Sequence, residues 1–175
     1  MTNPVLLAAA AAAALAILPA PRAAAHITLE TAQAAPNTWL RAVFRVPHGC
    51  GDAATTGIVV RLPAGISGAR PMPKPGWTLA IAPRDPNAPP PAGHGEIAEA
   101  GEIAWRGGHL PNAHYDEFVI RFRTPNTPGE TVWIPVIQEC EGGLRTEWTQ
   151  VPAPGQRITD LPTPAPSLRI LAPSR

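Results

Sequence analysis

The feature that most constrains this chain is its punctuation: apolar residues recur at every second position over short stretches, and each stretch ends at proline or a glycine pair. A period of two belongs to a strand with one buried face, whereas an amphipathic helix needs apolar positions spaced by three and four. Leu40, Ala42, Phe44 and Val46 stop at Pro47; Ile58, Val60 and Leu62 stop at Pro63; Trp77, Leu79 and Ile81 stop at Pro83. Ile103 and Trp105 stop at Gly107-Gly108, and Phe118, Ile120 and Phe122 stop at Thr124-Pro125. Val132, Ile134 and Val136 follow, then Leu144, Thr146 and Trp148 after the Gly142-Gly143 turn. Ile27 and Leu29, alternating with His26, Thr28 and Glu30, open the series.

Proline has no amide proton to donate to a sheet, so with 24 prolines and 15 glycines in 175 residues the chain favours short strands and turns. No segment sustains a helical period. The expected fold is all-β, an immunoglobulin-like antiparallel β-sandwich of about seven to eight short strands. Pro135, inside the apolar run from Val132 to Ile137, predicts an edge strand or a bulge there. Residues 83–95 read as a long loop. The prolines that recur after Val151 without an apolar face predict a Pro-rich extended tail over 152–175, beyond a sandwich domain spanning 26–151.

Residues 1–25 differ in kind. An alanine- and leucine-rich run leads into Pro-Ala-Pro-Arg and then Ala23-Ala24-Ala25, the pattern of a secretory signal peptide with an A-x-A cleavage site, although its n-region lacks lysine and arginine. A periplasmic or secreted protein without a membrane span in its mature chain is expected. The whole chain carries a formal charge of +1, and no basic run marks a nucleic-acid or anionic-membrane surface. Cys50 and Cys140 are an even pair in an exported chain, for which a disulfide is the expected state; soft metal ligands beside His48 are the competing reading.

Cleavage after Ala25 makes His26 the first residue. A free α-amine and the Nδ1 of the same ring then chelate one metal ion, and because the amine's ordinary pKa is near ~8, protons compete weakly at neutral pH. Nitrogen ligands in a tetragonal array favour Cu(II). Amino-terminal copper sites of the other common type need histidine in third place, where this chain has Thr28.

His26-Ile27-Thr28-Leu29, Arg45-Val46-Pro47, Pro73-Lys74-Pro75-Gly76-Trp77, Ile103-Ala104-Trp105-Arg106-Gly107-Gly108, Asp116-Glu117-Phe118 and Pro135-Val136-Ile137-Gln138 occur in that order. In this combination the chain resembles the YcnI-like copper-binding domain over residues 25–149. The resemblance implies an extracytoplasmic β-sandwich that binds one Cu(II) through a single amino-terminal histidine brace, His26, with a tryptophan beside the metal, Trp148. His48-Gly49-Cys50 departs from the acidic or amide residue that relatives often carry after Val-Pro, so His48 is either a second imidazole or a polar strand-end residue.

Other donors are weighed by position. Glu30 shares a strand side with His26 but lies about 13 Å along it, too far to share a metal. Glu139 and Glu147 lie near the Trp148 end, and either is a candidate oxygen ligand. His94, His109 and His114 fall in loops or turns, and Met72 between two prolines is a weak candidate for Cu(I). The expected function is copper trafficking or buffering in the cell envelope, with another envelope copper protein as giver or receiver and no catalytic residues. Two other classes stay open: a copper-dependent oxidative enzyme of the histidine-brace type, and a metal-free structural sandwich. There is no Gly-x-Ser-x-Gly elbow, phosphate loop or dinucleotide fingerprint.

Overall fold

A computed structural model describes residues 26–87 and 99–172. The leader at 1–25, His94 and most of the 83–95 loop lie outside the described residues. Twelve strands form among those described: β1 (Thr28–Leu29), β2 (Gln33–Ala34), β3 (Trp39–Val46), β4 (Thr55–Arg61), β5 (Ser67–Pro71), β6 (Thr78–Pro83), β7 (Ala100–Leu110), β8 (Asp116–Arg123), β9 (Thr131–Trp133), β10 (Val136–Cys140), β11 (Arg145–Trp148) and β12 (Ser167–Ile170). A four-stranded sheet runs β1-β3-β8-β5 and a five-stranded sheet runs β11-β10-β4-β7-β6, both antiparallel throughout. Their apolar phases face each other in an immunoglobulin-like sandwich.

The alternation read from sequence carries through to burial. Ala42, Phe44 and Val46 from β3, Ile58 and Val60 from β4, Ile103 and Trp105 from β7, and Phe118, Ile120 and Phe122 from β8 share one core. Trp105 and Trp77 both meet the ring of Phe118 edge-on, and Trp105 donates its indole N–H to the carbonyl of Met72 at 3.0 Å. Removal of an indole from water therefore leaves no polar atom unpaired.

Three expectations are corrected. Gly107-Gly108 does not end its strand. β7 continues through it to Leu110, because a side chain at Gly108 would overlap the Trp77 ring and Gly107 takes a φ of 79°. The run around Pro135 is not one strand: it divides into β9, which is an edge strand of a three-stranded sheet, and β10, which is an interior strand with a register irregularity at Glu139–Cys140. Pro135 separates β9 from β10, which belong to different sheets, and β10 lies between β4 and β11. At this switch Arg61 donates its amide to the Pro135 carbonyl, so the residue serves as an acceptor where its missing N–H is not needed.

The third correction concerns the tail expected over 152–175, whose described part, residues 152–172, is not an extended tail. β12 pairs parallel to β2 and antiparallel to β9 in a third, three-stranded sheet, and Leu168 and Ile170 are fully buried. Proline density hid this strand, since only Leu168 and Ile170 carry its apolar phase and Pro164 and Pro166 precede it.

Cys50 and Cys140 are joined across a sequence separation of 90 residues. Closing a loop of that length restricts the unfolded chain by about 4–5 kcal/mol in the chain-entropy model. Replacing both cysteines by alanine is expected to lower the unfolding free energy by roughly that amount, read as a lower urea midpoint with a steeper slope, because the unfolded chain without the crosslink exposes more surface. An unchanged midpoint would refute it.

Candidate metal centre

The edge strands β1 and β11 belong to different sheets, and the site forms where they come together. His26 lies two residues before the start of β1, and Trp148 ends β11 facing inward, 4% exposed, opposite Val136. The His26 imidazole meets the Trp148 indole edge-on at 5.7 Å between centroids. β1 also pairs with β3, Thr28 opposite Arg45 and Leu29 opposite Phe44, so the start of β1 and the end of β3 lie side by side. Pro47 stops β3, and the next residue, His48, places its ring 6.2 Å from the same indole. Two imidazoles 22 positions apart in sequence thus converge on one buried tryptophan.

A buried amide holds this arrangement. Gln138 is fully buried on β10 in the same inward phase as Val136. Its Oε1 accepts the Trp148 indole N–H at 3.0 Å, and its Nε2 donates to the His48 carbonyl at 2.6 Å and to the Thr55 hydroxyl at 2.7 Å. One side chain therefore fixes both the tryptophan and the turn that carries His48, with both of its N–H donors used. The disulfide anchors the same two segments, since Cys50 lies two residues after His48 and Cys140 two after Gln138. Sequence reasoning noted Gln138 only as part of a motif. The signal that could have found it is an amide standing on the apolar phase of a strand.

His48 Nδ1 lies 2.6 Å from the Gly49 carbonyl, a contact that puts the ring proton on Nδ1 in the neutral tautomer. Nε2 then carries the lone pair, and a metal-ligating histidine characteristically donates its other N–H in this way. His26 also lines a cleft of about 230 Å³ together with Thr28, Ala32, Ile158, Pro164 and Ser167, so its surroundings are open on that side.

The remaining candidates separate. Glu139 and Glu147 occupy the opposite phase from Gln138 and Trp148. Glu139 is gripped by the Arg106 guanidinium through contacts of 2.9–3.3 Å, which hold that guanidinium above its usual pKa, and Glu147 pairs with Arg145. Neither carboxylate faces the tryptophan, which corrects their candidacy as oxygen ligands. Glu30 is held by Arg45 at 2.8 Å. His109 sits exposed 3.2 Å from Glu141, and Met72 is half exposed. With both cysteines in the disulfide, no group of three or more His, Cys, Asp or Glu side chains arranged to hold a metal occurs among the described residues.

A family model described as a domain of unknown function, DUF1775, matches residues 26–170. The chain belongs to the DUF1775 family. YcnI-like proteins are members of the same family. The matched region begins at His26 and takes in β12, so the DUF1775 domain includes the C-terminal strand. A crystal structure of an uncharacterized protein from Nocardia farcinica, reported to have an immunoglobulin-like fold, is similar at 30% identity and a TM-score of 0.66, covering 83% of this chain and 98% of that one. Comparison with curated proteins finds no match.

Proposed function

We propose that this DUF1775 protein, processed to begin at His26, binds one Cu(II) and carries or buffers it outside the cytoplasm. The observation that bears most weight is the convergence of His26 and His48 on Trp148. An α-amine, the Nδ1 of His26 and the Nε2 of His48 would make a three-nitrogen set suited to tetragonal copper. Trp148 would cover one side of the ion with an apolar ring, slowing exchange with water. The resemblance to YcnI-like proteins, the family match that starts at His26 and the disulfide suited to an oxidising compartment support the same reading. No catalytic step is required: the protein would receive copper from, or pass it to, another envelope protein.

The two-imidazole set also favours a second reading, oxidative catalysis of the histidine-brace type. Hydrogen peroxide formation with ascorbate, followed by oxidised glycan products, would separate catalysis from carriage.

The test compares Cu(II) titration and electron paramagnetic resonance for protein starting at His26 and for protein with one alanine added before it. The added residue removes the amine from its chelate ring. Affinity is expected to fall by at least ~100-fold, the upper end of what disturbing only a ligand's supporting partners costs, with loss of nitrogen hyperfine structure. Equal binding by both forms would place the metal elsewhere, and no binding by either would leave a structural sandwich.

A further inference from the structure

Six edge strands border the three sheets among the described residues. An edge offers its outer amides and carbonyls to any second chain, and proteins guard such rows by shortness, charge or proline. β1 and β2 have two residues each and β9 has three. β11 carries Arg145 and Glu147, and β5 carries Arg70 with Pro71 at its end. β6 differs. It is six residues long, none of them is charged, and its one proline, Pro83, comes at the very end.

The side chains of β6 are apolar on both of its faces and largely uncovered. Leu79 and Ile81 share the core-side phase, opposite Trp105 and Ile103. Leu79 packs on the core from a half-buried position, whereas Ile81 is 46% exposed. Thr78, Ala80 and Ala82 occupy the other phase and are all exposed. On that face Ala80 lies opposite Ala104, which forms a second apolar cluster with Val59 and Ile137. An apolar rung thus runs across β10, β4, β7 and β6 and stops at the β6 edge.

We propose that β6 pairs antiparallel with β6 of a second copy of this chain, about a two-fold axis at Ala80. The order Thr78-Leu79-Ala80-Ile81-Ala82 is self-complementary in that register. Leu79 meets Ile81 of the second copy on the core side, two large apolar side chains at each of two symmetric positions. On the other face Ala80 meets its own counterpart and Thr78 meets Ala82, so small residues let the backbones close up. Residues 78, 80 and 82 pair among themselves and 79 pairs with 81. Whichever set of amides points away from β7 therefore finds partners. The two five-stranded sheets become one of ten strands, and the apolar rung continues across the axis. β11 lies at the opposite edge, four strand spacings or about 19 Å away, so both candidate metal centres stay clear of the contact. One strand pair buries less than the ~1,200 Å² of a stable specific interface, so the association is weak and reversible.

The test is sedimentation velocity on the protein, residues 26–175, up to ~1 mM and with a chelator present, so that copper cannot drive association. The dimer fraction is expected to rise reversibly with concentration. Ile81→Lys puts a charge at an exposed position of the edge and should weaken the dimer at least ~10-fold. Leu144→Lys, at a position 54% exposed and away from β6, should leave it unchanged. Matching near-ultraviolet circular dichroism would confirm that both variants fold. Ala80→Cys reads the register, since two residues facing each other across antiparallel strands lie within disulfide reach. With oxidised glutathione it should give a crosslinked dimer. Ala82→Cys, which faces Thr78 and stands about 13 Å from its own counterpart, should not. A monomer throughout, equal association of the two lysine variants, or equal crosslinking of the two cysteine variants would overturn the proposal.

Discussion

Ending the chain after Val151 is expected to abolish its cooperative unfolding transition. The deletion removes β12 and with it Leu168 and Ile170, both fully buried, together with Ala165 and Leu161. Each large aliphatic side chain contributes about 1.5–3 kcal/mol by burial, and their loss uncovers Ile134 and Val132. Backbone bonds go too: Ile134 donates to the Pro166 carbonyl, Gly129 to that of Ile170, and Ala165 to that of Gln150. Against a typical net stability of ~5–15 kcal/mol, these losses together are enough to unfold the domain. The single change Leu168→Ala grades the effect, with an expected cost of roughly 2–5 kcal/mol. Near-ultraviolet circular dichroism during urea unfolding is the measurement. A truncated chain with the full-length midpoint would mean that these residues are an appendage after all.

Gln138→Leu is expected to be the most damaging single substitution near the candidate metal centre. Leucine keeps most of the volume but strands three groups: the Trp148 indole N–H, the His48 carbonyl and the Thr55 hydroxyl. A buried polar group left without a partner costs about 1–3 kcal/mol, so a total of roughly 3–9 kcal/mol follows. Adding Thr55→Val removes one stranded hydroxyl and should return part of the loss, a coupling that a double-mutant cycle reads directly. If Gln138→Leu shifts the urea midpoint no more than a surface substitution does, the amide does not hold the site together.

These two experiments probe parts of the molecule that differ in how legible they were. Strand phases were read well, because alternation is a local property: Phe44, Ile58, Trp105, Phe118 and Ile120 all point where a period of two puts them. The cysteine pairing was also legible, since an even count in an exported chain leaves one partner for each. The C-terminal strand was not. Its residues are few, prolines flank them, and their burial depends on β2 and β9, which lie far away in sequence. Strand ends were misread where glycine serves packing, as at Gly108 under Trp77.

For the candidate site, the sequence pointed to His26, the resemblance to YcnI-like domains added Trp148, and His48, Glu139 and Glu147 were left undecided. Tertiary structure separated them through register. β1 beside β3 brings His26 and His48 to the same tryptophan, and the pleat of β10 and β11 turns both carboxylates to the other face. Alternation, turn chemistry and cysteine count reside in neighbouring residues, so the sequence by itself determined an all-β, disulfide-closed sandwich. The convergence on Trp148 and the Gln138 bridge depend on which strands lie side by side and in what register. That is a long-range choice made when the apolar faces of the whole chain are buried together, and only the folded structure decided it.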